Sequence, residues 1–387
     1  MKIFVFTSCY LPGFKAGGPI RTIVNMVDRL GNELEFFIMT RDRDLNSEVP
    51  YSDIKINEWN YVGKARVFYA SPDIFSVQGI AALLRQTPYD VLYLNSFFCP
   101  HSTGIPVLLK WLGCIPKTPV IIAPRGEFSA GALAIKGFKK QNYIAVVKAL
   151  GLYKDFIWQA SSLLETEDIR KNIGEISMVH VAQDLLSLQQ HIDTSSHIEI
   201  RRKSGKLRLV FLSRISPIKN LDYLLDVLTK VSVPVQLSIY GPLEDIDYWA
   251  QCTSIISRLP PHVSITYCGE LIPQDVSAAF SAHDLFVFPT QGENFGHVIF
   301  EALNAGTAVV VSNQTPWSPD PDGAVEVLPL ADVQVWVDAI ERWAGFSVDE
   351  FTKHREAAHR YAWLHLNDTS ILESNRQLFK TACNYLI

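Results

Sequence analysis

The stretch LFVFPTQGENFGHVIFEALNAGTAVVV, residues 285–311, reads as one strand–loop–helix–strand unit. Leu285–Phe288 is an apolar run of strand length, ended by Pro289. A polar loop with Gly292 and Gly296 follows, and a helix is expected from about His297 to Ala305, stopped by Gly306. Ala308–Val311 is the next buried strand. Units of this kind build a mostly parallel sheet with helices on both faces.

The same pattern extends outward. Leu207–Leu212, Val235–Tyr240, Val263–Tyr267 and Val325–Leu328 read as strands. Between the first two, Leu221, Leu224, Leu225 and Leu228 form one helix face, with Asn220 expected to cap it. An earlier series comprises Ile3–Phe6, Glu35–Thr40, Val91–Leu94 and Val120–Ala123. After its first strand comes a loop holding Pro12, Gly13, Gly17 and Gly18, then a helix opened by Pro19 with Ile20, Ile23, Val24, Val27 and Leu30 on one face. The series restarts after residue 205, behind a polar and basic run that reads as a linker. A chain of 387 residues exceeds one ordinary core, so two doubly wound α/β domains are expected. Ligands of such sheets lie at the carboxyl ends of strands, and between two domains the cleft is the expected site.

Composition narrows the function classes. The chain is 48% hydrophobic and 19% charged with a net charge of −5, which argues against a general nucleic-acid binder. Residues 1–190 carry 20 lysines and arginines against 17 acids, while residues 191–387 carry 15 against 23. The first half therefore suits an anionic surface better than the second. The six cysteines show no C-x-x-C pair and read as reduced thiols of a cytoplasmic protein. Met1–Phe6 is too short for a signal peptide, and no run reaches the ~20 apolar residues of a spanning helix. Lys15–Arg21 lacks the G-x-G-x-x-G of a nicotinamide dehydrogenase.

Two loops carry candidate chemistry. The segment Gly292–Gly296 lies where a helix N-terminus offers unpaired amides to an anion. Glu293 and Glu301, eight residues apart, can face two parts of one extended ligand, or be a loop acid and a helix-face acid. Arg214 and Lys219 flank Ile215-Ser216-Pro217-Ile218 between a strand and a helix. They can grip a diphosphate from one loop, or be solvated surface charges.

The run Pro289–Ser312 resembles the E-x7-E segment of the family four glycosyltransferases, which are retaining enzymes with the GT-B fold. Thr315-Pro316-Trp317 resembles a subgroup acting in bacterial surface polysaccharide biosynthesis. The resemblance implies a GT-B architecture, two Rossmann-like domains facing across a deep cleft. It implies an N-terminal acceptor-side domain of 1–190 plus 370–387, a linker of 191–206 and a nucleotide-sugar domain of 207–369. It assigns Arg214 and Lys219 to the diphosphate leaving group and Glu293 to donor-sugar hydroxyls. Amides of Asn294, Phe295 and Gly296 would meet the sugar and diphosphate, and Glu301 the ribose. Gly241, in Tyr240-Gly241-Pro242, matches a turn beside the nucleotide, and Gly17-Gly18 a loop whose backbone meets the diphosphate and sugar. Asn95 stands where the family usually has a histidine near the reacting sugar, with His101 a candidate substitute. Arg125, in Pro124-Arg125-Gly126, is either an acceptor-side contact or a structural ion pair.

By this resemblance the expected reaction moves a hexose-type sugar from a UDP- or GDP-sugar to a glycan or lipid-linked acceptor with retention. The departing phosphate oxygen would take the acceptor's proton, with no dedicated base. No cofactor or metal is expected: Asp245-Ile246-Asp247 and Asp320-Pro321-Asp322 read as solvated loop acids. Residues 133–158 mix Lys136, Lys139, Lys140, Lys148 and Lys154 with Phe138, Tyr143, Val146 and Trp158. They read either as an amphipathic helix touching anionic lipid at the inner face of the cytoplasmic membrane, or as a helix packed on the sheet. The alternatives are a GT-B nucleotide-sugar epimerase, which needs no acceptor, and a non-catalytic sugar-binding protein, which leaves Arg214, Lys219 and the glutamates without a joint purpose.

Overall fold

The computed structural model describes residues 1–174, 178–187 and 205–384. The chain divides into two compact units, Met1–Leu188 with Asp368–Ile387, and Gln189–Asn367. Most of the expected linker, residues 191–204, lies outside the described residues.

In the first unit the described strands are β1 (Lys2–Phe6), β2 (Glu35–Arg41), β3 (Trp59–Val62), β4 (Ala65–Ala70), β5 (Val91–Asn95), β6 (Val120–Ala123), β7 (Ile157–Ala160) and β8 (Val179–Val181). They form one sheet in the order β3-β4-β2-β1-β5-β6-β7-β8. All pairings are parallel except the β3–β4 hairpin. Strand alternation sorts β1 onto both faces: Phe4 and Phe6 enter one core, Ile3 and Val5 the other. The helix Gly18–Leu30 buries Ile20, Ile23, Met26, Val27 and Leu30, with Pro19 in its first turn. The helix Thr369–Asn384 belongs to this unit and puts Leu378, Phe379 and Ala382 into the second core. There Phe379 stands 6.0 Å from the Tyr93 ring.

In the second unit the described strands are β9 (Leu207–Leu212), β10 (Val235–Tyr240), β11 (Val263–Gly269), β12 (Leu285–Phe288), β13 (Ala308–Ser312) and β14 (Val325–Leu328). Their order is β11-β10-β9-β12-β13-β14, all parallel. This is the 3-2-1-4-5-6 winding of a Rossmann sheet, whose direction reverses between its first and fourth strands, here β9 and β12. The loops leaving those two strands therefore lie side by side at their carboxyl ends. They are the two loops that carry Lys219 and Glu293.

Two local expectations are corrected and a third holds in part. Asn220 precedes the helix Leu221–Leu228 but does not cap it with its side chain. It takes a left-handed conformation (φ 61°); its Oδ1, the atom that would cap, instead accepts from Gln291 Nε2 at 3.0 Å, and its Nδ2 donates to the Pro289 carbonyl at 2.8 Å. Residues 133–158 are not one helix: short helix Ala130–Ala134 is followed by Gly137–Ala149, and Trp158 sits fully buried in β7. The D-x-D acids divide: Asp247 and Asp322 are exposed as expected, whereas Asp245 caps the helix Ile246–Ile256 and Asp320 accepts from the Ala324 amide.

Candidate functional site

In the second unit the helix His297–Asn304 begins directly after the loop from β12. Gly296 is its N-cap in the left-handed region at φ 81°, where a Cβ would meet Ile299 Cδ1 at 2.8 Å and Glu293 Cγ at 3.0 Å. Glycine is thus required for the chain to turn tightly and present amides at the helix end. Phe295 is buried, and Glu301 lies in the second turn of the helix.

The loop after β9 supplies the cations. Ser216–Lys219 closes a single 3-10 turn, with the Lys219 amide donating to the Ser216 carbonyl at 2.9 Å. The turn is stitched to the β12 loop by the Gln291 amide, which donates to the Ile218 carbonyl at 2.8 Å, and by Asn220 on Pro289. As a result Lys219 Nζ reaches Glu293 Oε2 at 2.6 Å and sits 5.5 Å from the centre of the Phe288 ring. Arg214 points elsewhere, to Glu244 at 2.5 Å in a pair about one-third exposed. The residues expected as separate ligand contacts thus neutralise partners of their own here.

Gly241 ends β10 at φ 133°, and a Cβ there would fall 1.8 Å from the Ser213 carbonyl oxygen. The turn is pressed against the start of the Arg214 loop, and the Tyr267 hydroxyl donates to the Gly241 carbonyl at 2.8 Å.

In the first unit the corresponding switch point lies between β1 and β5. Gly17, at φ 62°, is the N-cap of the helix that Gly18 begins. Their loop is held by the buried carboxylate of Asp44, which accepts from the Phe14 amide at 3.0 Å and the Lys15 amide at 3.2 Å. Across the switch point, Asn95 ends β5 almost fully buried. His101 stacks on Phe75 at 5.7 Å between ring centres.

Of the two readings of Arg125, the structure shows the structural ion pair. Its guanidinium is buried against the Asp184 carboxylate, the Tyr93 hydroxyl and Asn95 Oδ1, the last at 2.8 Å from Nε. Burial works to lower its pKa, but the fields of Asp184, Tyr93 and Glu165 and the Tyr93 hydrogen bond outweigh that and raise it. Asp184 also accepts from Thr22 of the helix Gly18–Leu30 at 2.7 Å. Asn95 and Arg125, named as separate candidates, are thus joined in one buried network.

Sequence reading missed three groups that shape these loops. Glu127 accepts from the amides of Phe97 at 2.5 Å and Phe98 at 3.1 Å and from the Ser96 hydroxyl at 2.8 Å. Burial raises its pKa, and those donors oppose the rise. Asp44 and Asp184 act on loops far away in the chain. None of the three carried a local signal, because each bond joins distant segments.

Residues 206–344 match the sequence model of the family described as glycosyl transferases group 1. The chain is 23% identical over 299 residues to an uncharacterized 41.2 kDa protein in the cps region of Klebsiella pneumoniae, covering 71% of this chain and 78% of that one. It is 33% identical over 145 residues to the phosphatidyl-myo-inositol mannosyltransferase of Mycobacterium tuberculosis, a stretch that is 35% of this chain and 37% of that enzyme. Among solved structures, HepE of Anabaena, crystallised with UDP and glucose, superposes with a TM-score of 0.71 at 16% identity over 98% of this chain and 99% of HepE. Sucrose-phosphate synthase of Thermosynechococcus elongatus gives 0.74 at 15% identity over 98% of both. The chain has the GT-B fold of these solved structures, and its residues 206–344 are similar to the group 1 glycosyl transferases.

Proposed function

We propose that the protein is a retaining glycosyltransferase that moves a hexose-type sugar from a UDP- or GDP-sugar to a glycan or lipid-linked acceptor in polysaccharide biosynthesis. The observation that carries this reading is the switch point between β9 and β12, which sets Lys219 against Glu293 beside a glycine-opened helix N-terminus. An anion with a polyhydroxyl group attached fits that set of groups. Lys219, with Arg214 once it leaves Glu244, balances the charge that develops on the departing diphosphate. The amides of Asn294, Phe295 and Gly296 take its oxygens, Glu293 takes sugar hydroxyls, and Glu301 takes the ribose. Gly241 keeps the neighbouring turn close to the nucleotide. These cationic and amide groups can do this without a metal ion or cofactor. Gly17 and Gly18 are proposed to offer backbone amides to anionic substrate groups, and Asn95 and His101 to border the acceptor. The names of the relatives support the reading: a mannosyltransferase, a cps-region protein and an O-antigen chain mannosyltransferase B from Escherichia coli.

Peripheral contact with anionic lipid is a second part of the proposal. Phe138 is 84% exposed, with Ile135, Val146 and Leu150 exposed near it and Lys139 and Lys148 alongside. Ile144 and Val147 of the same helix face the core, so only this outer stripe is available to lipid. No helix among the described residues is long and apolar enough to cross a membrane. Co-sedimentation with phosphatidylglycerol vesicles at low salt tests it, and absence of binding removes it.

A panel of UDP- and GDP-sugars, scored for binding and slow hydrolysis, tests the reaction. One donor class should bind and hydrolyse, and a folded Lys219→Ala variant should lose about 100-fold in rate. Failure of every donor, or an unchanged Lys219→Ala rate, would overturn the assignment.

A further inference from the structure

The last residue of β13 and the segment that follows it grip the β12 loop at three points. The Ser312 hydroxyl donates to the Thr290 carbonyl at 2.5 Å. The Glu293 amide donates to the Gln314 carbonyl at 3.1 Å. The Trp317 indole Nε1–H donates to the Phe295 carbonyl at 2.5 Å. Trp317 is 6% exposed, and its ring lies 5.5 Å from the Phe295 ring. Behind it stand His365 at 5.0 Å and Tyr361 at 6.1 Å, both from the helix Val348–Leu366. The Tyr361 hydroxyl donates to the Ser318 carbonyl at 3.2 Å, which holds the segment against that helix.

The consequence follows from peptide planarity. In a trans peptide the N–H of one residue points opposite to the carbonyl of the residue before it. The indole pulls the Phe295 carbonyl inward, so the Gly296 N–H is aimed the other way, out of the helix end. Gly296 has no side chain to hold that plane, so the indole bond to the Phe295 carbonyl is a direct restraint on it.

We propose that Trp317 is a positioning residue for the sugar-diphosphate, acting through the Phe295–Gly296 peptide. This rests on the reading of the β12 loop as the donor site. Trp317 touches no reacting atom. It sets the direction of an amide that meets the diphosphate and sugar, while the ribose contact at Glu301 lies beyond its reach, in the second turn of the helix.

The test is Trp317→Phe, which keeps an aromatic ring and removes the N–H. Binding of UDP-glucose, UDP and UMP is compared by calorimetry, or of GDP-mannose, GDP and GMP if the wild type selects guanosine. The expected result is roughly tenfold weaker binding of the nucleotide sugar and diphosphate, from loss of one buried hydrogen bond, with the monophosphate changed less than about twofold. Equal weakening of all three would show a general collapse of the unit and overturn the proposal, as would no weakening of any. If the variant does not fold, Tyr361→Phe removes the bond that holds the backbone beside Trp317 and so loosens the indole's position while keeping its N–H. The same split between diphosphate and monophosphate is then expected, and its absence overturns the proposal. A wild type that binds none of these nucleotides sinks the donor reading itself, whereas a wild type that binds and a variant that matches it sink only the role of Trp317.

Discussion

Lys219 Nζ lies 2.6 Å from Oε2 of Glu293, and the two side chains are only 13% and 17% exposed. Solvent screens such a pair less than one on the open surface. On the proposed reading a diphosphate that uses Lys219 must take it from Glu293, which would free Glu293 for the sugar. Glu293→Gln should bind UDP or GDP roughly fivefold more tightly, because the competing carboxylate is gone. Turnover of the nucleotide sugar should fall in the same variant. Calorimetry beside donor hydrolysis checks both arms, and weaker UDP and GDP binding would rule out the exchange.

Arg125 should behave as a structural residue. Arg125→Ala leaves the buried Asp184 carboxylate without its cation, which typically costs about 3–5 kcal/mol. The melting temperature should drop by about 10 °C. Arg125→Lys should recover only part of it, because an ammonium cannot reach Asp184, Tyr93 and Asn95 together. Calorimetric melting of the variants decides the matter. An unchanged melting temperature with a selective loss for acceptor would return Arg125 to the substrate.

On the proposed reading, Gly241→Ala should weaken nucleotide binding without unfolding the first unit. The new Cβ would collide with the Ser213 carbonyl, and the backbone angle is one that alanine adopts only under strain. The expected loss is about 2–4 kcal/mol, with UDP or GDP binding weakened at least about tenfold. Circular dichroism and nucleotide titration together test this, and normal nucleotide affinity in the variant would contradict it.

Buried phenols set an alkaline limit. Burial pushes Tyr69, Tyr89 and Tyr93 up to about 12, and Tyr10 and Tyr51 further. An unfolded chain ionises its tyrosines near ~10. Between those values the unfolded state holds fewer protons than the folded state, so stability falls as pH rises. Absorbance at about 295 nm should show these phenolates only together with loss of structure. Smooth titration of all fourteen tyrosines in a folded protein would contradict the burial.

Much of this was legible in the chain. Apolar runs such as Leu285–Phe288 and Ala308–Val311 are strands because four or five consecutive buried residues can only be satisfied inside a sheet covered on both faces. The helix His297–Asn304 and the stop at Gly306 followed from short-range signals. The hairpin β3–β4 was not anticipated, since Trp59–Val62 is half-buried and mixes polar with apolar residues. Asn220 looked like a cap because its type favours caps, yet the side-chain amide of Gln291, 71 residues away, donates to the oxygen that would cap.

The sequence by itself determined the α/β class, ten of its strands and which loops hold glycine beside charge. All of these depend on residues within a few positions of each other. Only the tertiary structure decided what the charges do: that Lys219 meets Glu293, that Arg125 is spent on Asp184, and that Trp317 holds the Phe295 carbonyl. The physical reason is distance along the chain. Periodicity and capping act over one or two turns, whereas a hydrogen bond or ion pair between distant loops exists only once the winding of the sheet has set β12 beside β9. The Gly292–Glu301 stretch was found by its sequence, and its partners were found by the fold.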